Sequence, residues 1–249
     1  MHLHTKALVL RETAYKESDK ILTLLTQEQG KLTASARGCR RKGSPLAAGS
    51  QLLVWSDFIL YEYQGRWSVK EAEVEREFRG MREDLDKFSL GCYFGEVTQA
   101  LALEGLPSPE MLSLILNSLH ALDRLDRPLA LVKGAFELRA MCLAGYEPVL
   151  DACAVCGCQP EEPRFHLREG VLHCARCRGE VGDGVSMSLD QGALAAMRHV
   201  AYGDPKRLFS FQLEEKSLSA FADVAEAYLL TQLERGFSTL DFYKSLRLS

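Results

Sequence analysis

The chain has 249 residues, 47% hydrophobic and 26% charged, enough to bury a substantial core as one large or two small domains with an added module. No run of about eighteen apolar residues occurs, which excludes a membrane-spanning helix, and no charged segment followed by an apolar stretch opens the chain, so no secretory leader is expected. The net charge of −4 and pI near 5.9 exclude a uniformly basic nucleic-acid binder.

The charge is unevenly placed. Residues 1–70 hold 11 Lys and Arg against 6 Asp and Glu, and residues 71–249 hold 19 against 28. A basic head on an acidic remainder is the asymmetry expected when one end meets phosphate. The head reads as five strands, at 5–10, 20–26, 31–36, 51–63 and 67–74, in short runs rich in β-branched, aromatic and alternating residues. Turn residues punctuate them at Glu17-Ser18-Asp19, at Gln29-Gly30, along a long connection at 38–50 and at Gln64-Gly65. Five strands with an extended connection between the third and fourth predict an OB-type Greek-key barrel, with an SH3-like barrel as the alternative.

The long connection carries Arg37, Arg40, Arg41 and Lys42 between Gly38 and Gly43, with Lys20 and Lys31 on adjacent strands. A glycine-bounded cationic loop, taken as flexible, has little reason to be core, and these six residues are the candidate DNA contacts. Trp55, Tyr61, Tyr63 and Trp67 are candidate base-stacking platforms, although strand aromatics more often fill the barrel. Gly38-x4-Gly43 resembles half of a phosphate-binding P-loop, but Ser44-Pro45 stands where Lys-Ser or Lys-Thr should follow, so nucleotide hydrolysis is not expected. Glu71, Glu73, Glu75 and Glu77 alternate along the fifth strand. They read as a solvated strand surface before they read as a two-metal nuclease site.

Past Phe78 the hydrophobic period lengthens to 3.6. Helices are predicted over 82–104, then from Ser108 as N-cap with Pro109 at N1 through Leu125, and from Pro128 to Gly145. A further helix starts from a Ser188/Gln191 capping box and ends near Gly203, and the last runs over 214–235 before Gly236. His120 and His199 fall in helices and read as surface or partly buried residues. Between the helical parts lies Cys153-x-x-Cys156, seventeen residues, then Cys174-x-x-Cys177. Two such turns supply four soft thiolates for a closed tetrahedral zinc site, which leaves no position for water or substrate and makes the zinc structural. Disulfides or a redox pair are the alternative. Cys158 or His173 could replace a neighbouring ligand, and both His166 and His173 read otherwise as solvated loop positions. Cys39, Cys92 and Cys142 are spread apart, as free thiols of a reducing compartment would be, so the cytoplasm is expected. No acyl-transfer elbow, deaminase signature or Cys-His pair suggests catalysis, so the chain reads as a binder rather than an enzyme.

Tyr15-x-x-Ser18-Asp19-Lys20-Ile21-Leu22-Thr23-Leu24-Leu25-Thr26, then Gly30-Lys31 and Ala36-Arg37-Gly38-x-Arg40, resembles the N-terminal signature of the RecO family of bacterial recombination mediators. Gly145-Tyr146-x-Pro148-x-Leu150-x-x-Cys153-x-x-Cys156-Gly157 is similar to the segment leading into that family's zinc finger. The resemblance spans about residues 5 to 245, is specific in the head and at the finger, and points to the metal-bearing branch. It implies binding of single- and double-stranded DNA, annealing of complementary strands, and action with RecR to load RecA onto DNA coated by single-strand-binding protein. It also implies contact with that coating protein's acidic C-terminal tail, and a nucleoid-associated, non-membrane location. The DNA role carries onto Lys20, Lys31, Arg37, Arg40 and Arg41.

The expectation is an α+β protein: an OB-type barrel at 1–79, a helical domain at 80–150 and 186–249, and a zinc-finger insertion at 151–185. A nucleic-acid enzyme built on an OB domain, or a protein-only adaptor whose basic head takes an acidic peptide, are the other function classes the residues leave open.

Overall fold

A computed structural model describes residues 1–247; positions 248 and 249, the end of the predicted 186–249 segment, lie outside the described residues. Five strands open the chain: β1 (His2–Tyr15), β2 (Asp19–Thr26), β3 (Gly30–Ala36), β4 (Trp55–Tyr63) and β5 (Arg66–Arg76). They close into a barrel of order β1-β2-β3-β5-β4, with all neighbours antiparallel except β3 and β5, which run parallel at Ala34↔Trp67 and Ser35↔Ser68. This is the OB-type layout, and it leaves no open sheet edge. Alternate residues point inward, so Ala7, Val9, Leu22, Leu24, Leu32, Ala34, Phe58, Leu60 and Val69 form one buried cluster.

Strand β1 is longer than the sequence pattern suggests. A bulge between Val9 and Arg11 is followed by Arg11 to Tyr15 pairing with Thr23 to Asp19. The residues of that extension are exposed or half-buried on both faces, so they carry no inward alternation to read. Residues 51–54, expected to open β4, instead form a turn in which Leu53 is left-handed at φ 58° and buried.

Two compact units follow from the contacts: Met1–Arg124 with the chain from Phe237 on, and Leu125–Gly236. The first adds to the barrel the short α1 (Arg79–Arg82), then α2 (Leu85–Leu101) and α3 (Pro109–Arg124). The Asp84 carboxylate caps α2 by accepting from the Lys87 N–H at 3.0 Å. Gly30 holds φ 61° where an added Cβ would lie 2.0 Å from the Leu106 carbonyl oxygen, so only glycine fits there.

The second unit contains α4 (Leu129–Leu143), α5 (Gln191–Tyr202) and α6 (Glu215–Leu233) around a small module. The cap of α5 is Asp190, whose carboxylate accepts from the Ala193 N–H at 2.7 Å, and not Ser188, whose hydroxyl instead accepts from Arg164 at the end of a strand. An ion triad sits inside this unit. The Lys133 ammonium lies 2.8 Å from Glu137 on α4 and 2.7 Å from Glu226 on α6, and all three side chains are mostly buried. Burial opposes the charge, but the carboxylates of Glu137 and Glu226 outweigh it and hold the Lys133 ammonium above its ordinary pKa. A last helix, α7 (Ser238–Leu246), belongs to the first unit and packs on α2, with Phe237 edge-on to Tyr93 at 5.7 Å and the Glu96 carboxylate accepting from the Thr239 N–H at 3.1 Å. The sequence pattern gave no warning of it.

Candidate nucleic-acid interface and metal centre

The cationic connection is held in place at both of its levels. Beneath it, Cys39 and Leu46 are buried in the barrel's apolar cluster. Above, a succession of turns runs Arg41 N–H to Gly38 carbonyl at 3.0 Å, Ser44 N–H to Arg41 carbonyl at 3.1 Å and Ala47 N–H to Ser44 carbonyl at 3.1 Å. The backbone of the loop is therefore tied by hydrogen bonds and by its buried residues. Cys39, between two exposed arginines, packs inward while Arg37, Arg40, Arg41 and Lys42 stay in solvent.

A second tether comes from the β1–β2 turn. The Asp19 carboxylate accepts from the Gly38 N–H at 2.7 Å, where Gly38 is left-handed at φ 68°, and the Arg40 N–H donates to the Ser18 carbonyl at 2.9 Å. The Gly38 N–H, then Ser18, Lys16 and Arg37, hold the Asp19 carboxyl below its ordinary range against a smaller opposing effect of burial. The conformation that Asp19-Lys20 and Arg37-Gly38-x-Arg40 share thus has a physical cause: an acceptor on one segment fixes the backbone of the other.

The six candidate DNA residues divide by placement. Arg37, Arg40, Arg41 and Lys42 are exposed together on the connection. Lys20 is half-buried, its ammonium 2.7 Å from Glu12, which also accepts from the Leu52 N–H. Lys31 is half-buried and donates to the Gln99 carbonyl at 2.9 Å near the C-terminus of α2, where the helix dipole favours a cation. Among the aromatic candidates, Trp67 packs against the barrel cluster, Tyr61 lies tilted against His2 with centroids 4.9 Å apart, Trp55 is half-buried, and Tyr63 is exposed. Glu71, Glu73 and Glu75 are exposed on β5, Glu75 paired with Lys6 at 2.8 Å, and Glu77 lies half-buried just past the strand, paired with Arg79 at 2.7 Å.

The cysteine module is built around β6 (Arg164–His166), β7 (Val171–His173) and β8 (Ser186–Ser188), in sheet order β7-β6-β8. The first knuckle precedes β6 and the second follows β7 directly, so folding the β6–β7 hairpin brings the two together. The sulfurs of Cys153, Cys156, Cys158 and Cys174 all lie within 4.8 Å of one another. Cys177 is buried in the same cluster with Cys153 and Cys174. A tetrahedral zinc with bonds of about 2.3 Å needs sulfurs about 3.8 Å apart, so the donor set and its spacing are compatible with the ion. Within the cluster the Cys177 backbone N–H leads the influences that lower the Cys174 thiol, while hydrogen bonding among the sulfurs raises those of Cys158 and Cys177.

The mutually close set thus takes in Cys158 where the spacing predicts Cys177, which is buried beside Cys153 and Cys174 but stands outside that set. His166 and His173 are not solvated loop residues. Both are buried in the small sheet, with His173 Nδ1 on the Cys174 carbonyl at 3.2 Å and Nε2 on the Ser186 hydroxyl at 2.8 Å, so both of its nitrogens are engaged away from the sulfurs. His166 Nε2 lies 3.1 Å from the Gly182 carbonyl. The module is seated within its unit: Phe165 packs edge-on to Tyr228 at 5.1 Å, Gln232 donates to the Leu167 and Arg168 carbonyls at 2.8 Å, and Arg198 donates to the Leu150 carbonyl at 2.8 Å. Tyr202 donates to the Pro148 carbonyl and accepts from the Leu150 N–H, which fixes the strand-like approach to the first knuckle.

A closed five-stranded barrel with a pinned cationic loop, followed by helices that carry a thiol-rich knuckle module, defines an OB-type protein with an appended helical, metal-compatible body. Comparison with known proteins narrows the class. The profile described as "Recombination protein O N terminal" matches residues 1–78, and "Recombination protein O C terminal" matches residues 82–241. Among curated relatives, the DNA repair protein RecO of Acetivibrio thermocellus is 32% identical over 248 residues, covering 98% of this chain and 97% of that one. The DNA repair protein RecO of Symbiobacterium thermophilum is 32% identical over 244 residues, 96% of each chain, and that of Alkaliphilus metalliredigens is 28% identical, covering 99% and 100%. The chain belongs to the RecO family of DNA repair and recombination proteins.

Proposed function

We propose that this chain is a recombination mediator that binds single- and double-stranded DNA through the barrel, anneals complementary strands and, with RecR, helps load RecA onto DNA coated by single-strand-binding protein. The observation that carries the reading is the clustering of Arg37, Arg40, Arg41 and Lys42 in solvent on a loop whose backbone is fixed by Asp19 and Cys39. Lys20 and Lys31 flank it as weaker contributors, since each already has a partner.

Annealing follows from charge without bond-making chemistry. Two complementary strands repel, and a protein that neutralises phosphates on both lowers that barrier. The acidic remainder and its helices supply the protein-facing part of the reading, toward RecR and the acidic tail of the coating protein. Zinc, held by Cys153, Cys156, Cys174 and Cys177 with Cys158 beside them, would stabilise the knuckle module and supply no reactive position. No helix among the described residues is long and apolar enough to cross a membrane; the cytoplasmic, nucleoid-associated place belongs to the proposed DNA role.

A gel-shift and strand-annealing assay without nucleotide tests the reading. Retarded single-stranded oligonucleotide and accelerated annealing are expected. Metal-dependent turnover of the oligonucleotide would favour an OB-domain enzyme, and no shift of bare oligonucleotide at low salt would favour a protein-only adaptor.

A further inference from the structure

We infer that Tyr15 and Tyr63 are the base-stacking platforms of the barrel, and that a single strand crosses the β2–β3 surface between them; the inference rests on the DNA-binding reading above and names the residues that give it a preference for single strands. Of the large hydrophobic side chains in residues 2–78, these two alone stand exposed, Tyr15 at 50% and Tyr63 at 62%. Tyr15 ends β1 and Tyr63 ends β4. In the closed order β1-β2-β3-β5-β4, β2 neighbours β1 and β3 neighbours β5, so the pair β2–β3 has the end of β1 on one side and the β4–β5 hairpin on the other. The β1–β2 and β4–β5 turns are the loops that flank the ligand face in barrels of this type.

The surface between them suits a polynucleotide. Its cross-strand pairs Ile21↔Ser35 and Thr23↔Thr33 present small, mostly hydroxylated side chains that leave room for bases and can bond to sugar and phosphate. Tyr15 also has a cation beside it, the Lys16 ammonium 5.3 Å from its ring centroid, and the backbone partner of Tyr63 across the β4–β5 turn is Arg66. The Tyr15 end is tied to the cationic loop as well, because the Arg40 N–H and guanidinium donate to the carbonyls of Ser18 and Lys16. A ring stacks only on a base that is free of its own helix, so these platforms act on single strands, whereas the loop cations act on either form.

The test measures affinity for a fluorescent oligo-dT and for a duplex of equal length, by anisotropy across a salt series, with the full chain and with Tyr15→Ala, Tyr63→Ala, the double variant and Tyr15→Phe. Each alanine is expected to weaken oligo-dT binding about 5- to 150-fold, the range for one stacked base, with the salt slope and duplex affinity unchanged and Tyr15→Phe close to wild type. Oligo-dT affinity within twofold of wild type in the double variant, or equal losses on both DNA forms, overturns the platforms. If the tyrosine variants are silent while Arg40→Ala with Arg41→Ala weakens binding, only this inference falls. If the unaltered chain captures neither DNA form, the DNA-binding reading falls with it.

Discussion

At the residue scale, the fifth thiol is the sharpest point. Cys153, Cys174 and Cys177 are buried together, while Cys156 is exposed with its sulfur 3.3 Å from that of Cys158. Paired Cys-x-x-Cys turns have the better bite for zinc, so Cys153→Ser is expected to lower bound zinc below one per chain and to destabilise the module, to which a structural zinc contributes on the order of 10 kcal/mol. Cys158→Ser is expected to keep one zinc. Metal analysis with thermal unfolding checks both, and zinc lost from Cys158→Ser but kept in Cys177→Ser would exchange the roles of those two residues. Gly30 offers a second test on the barrel side. Its left-handed backbone and the Leu106 carbonyl leave no room for a side chain, so Gly30→Ala is expected to lower the midpoint of denaturant unfolding for the first unit.

At the scale of elements, the Asp19 tether is expected to govern the order of the Arg37–Lys42 segment. A carboxyl whose pKa is lowered in the folded state contributes stability above its ordinary value of 3.8, and that contribution is lost as pH falls from there through the folded value. Hydrogen exchange at the Gly38 amide should therefore be slow at neutral pH and faster in Asp19→Ala; equal protection in the two proteins would show that the tether does not order the loop. The cations and glycines of this loop were legible in the sequence, but its anchoring was not, because that depends on Cys39 reaching a core formed by distant strands. The inner halves of β1 to β4 were legible for the opposite reason: alternation within one strand records which face is buried. The extension of β1 carries no such record. Helix α7 hid for want of length, with Leu240 and Tyr243 buried along nine residues and Phe237 just before them. The cap of α5 was misplaced by two positions, since Ser188 and Asp190 are both good capping residues and only the backbone decides between them.

At the scale of the whole molecule, the charge division seen in the sequence finds a structural counterpart in the exposed cations of the barrel loop and in a helical unit whose acidic residues are mostly exposed, one buried triad apart. The Lys133, Glu137 and Glu226 triad joins α4 to α6, and Lys133→Met would remove the cation that two largely buried carboxylates share. A loss of about 3–5 kcal/mol is expected, read as a lower urea midpoint for the helical unit with DNA affinity unchanged. Barrel and metal-compatible module thus have separable tests. The account depends most on phosphate neutralisation by the barrel loop, and the salt dependence of single-strand binding by Arg40→Ala with Arg41→Ala tests that directly. Each lost phosphate contact should flatten the plot of log affinity against log salt by about 0.7, so the double variant should bind more weakly with a slope smaller by about 1.4. An affinity and slope equal to those of the unaltered protein would contradict the account.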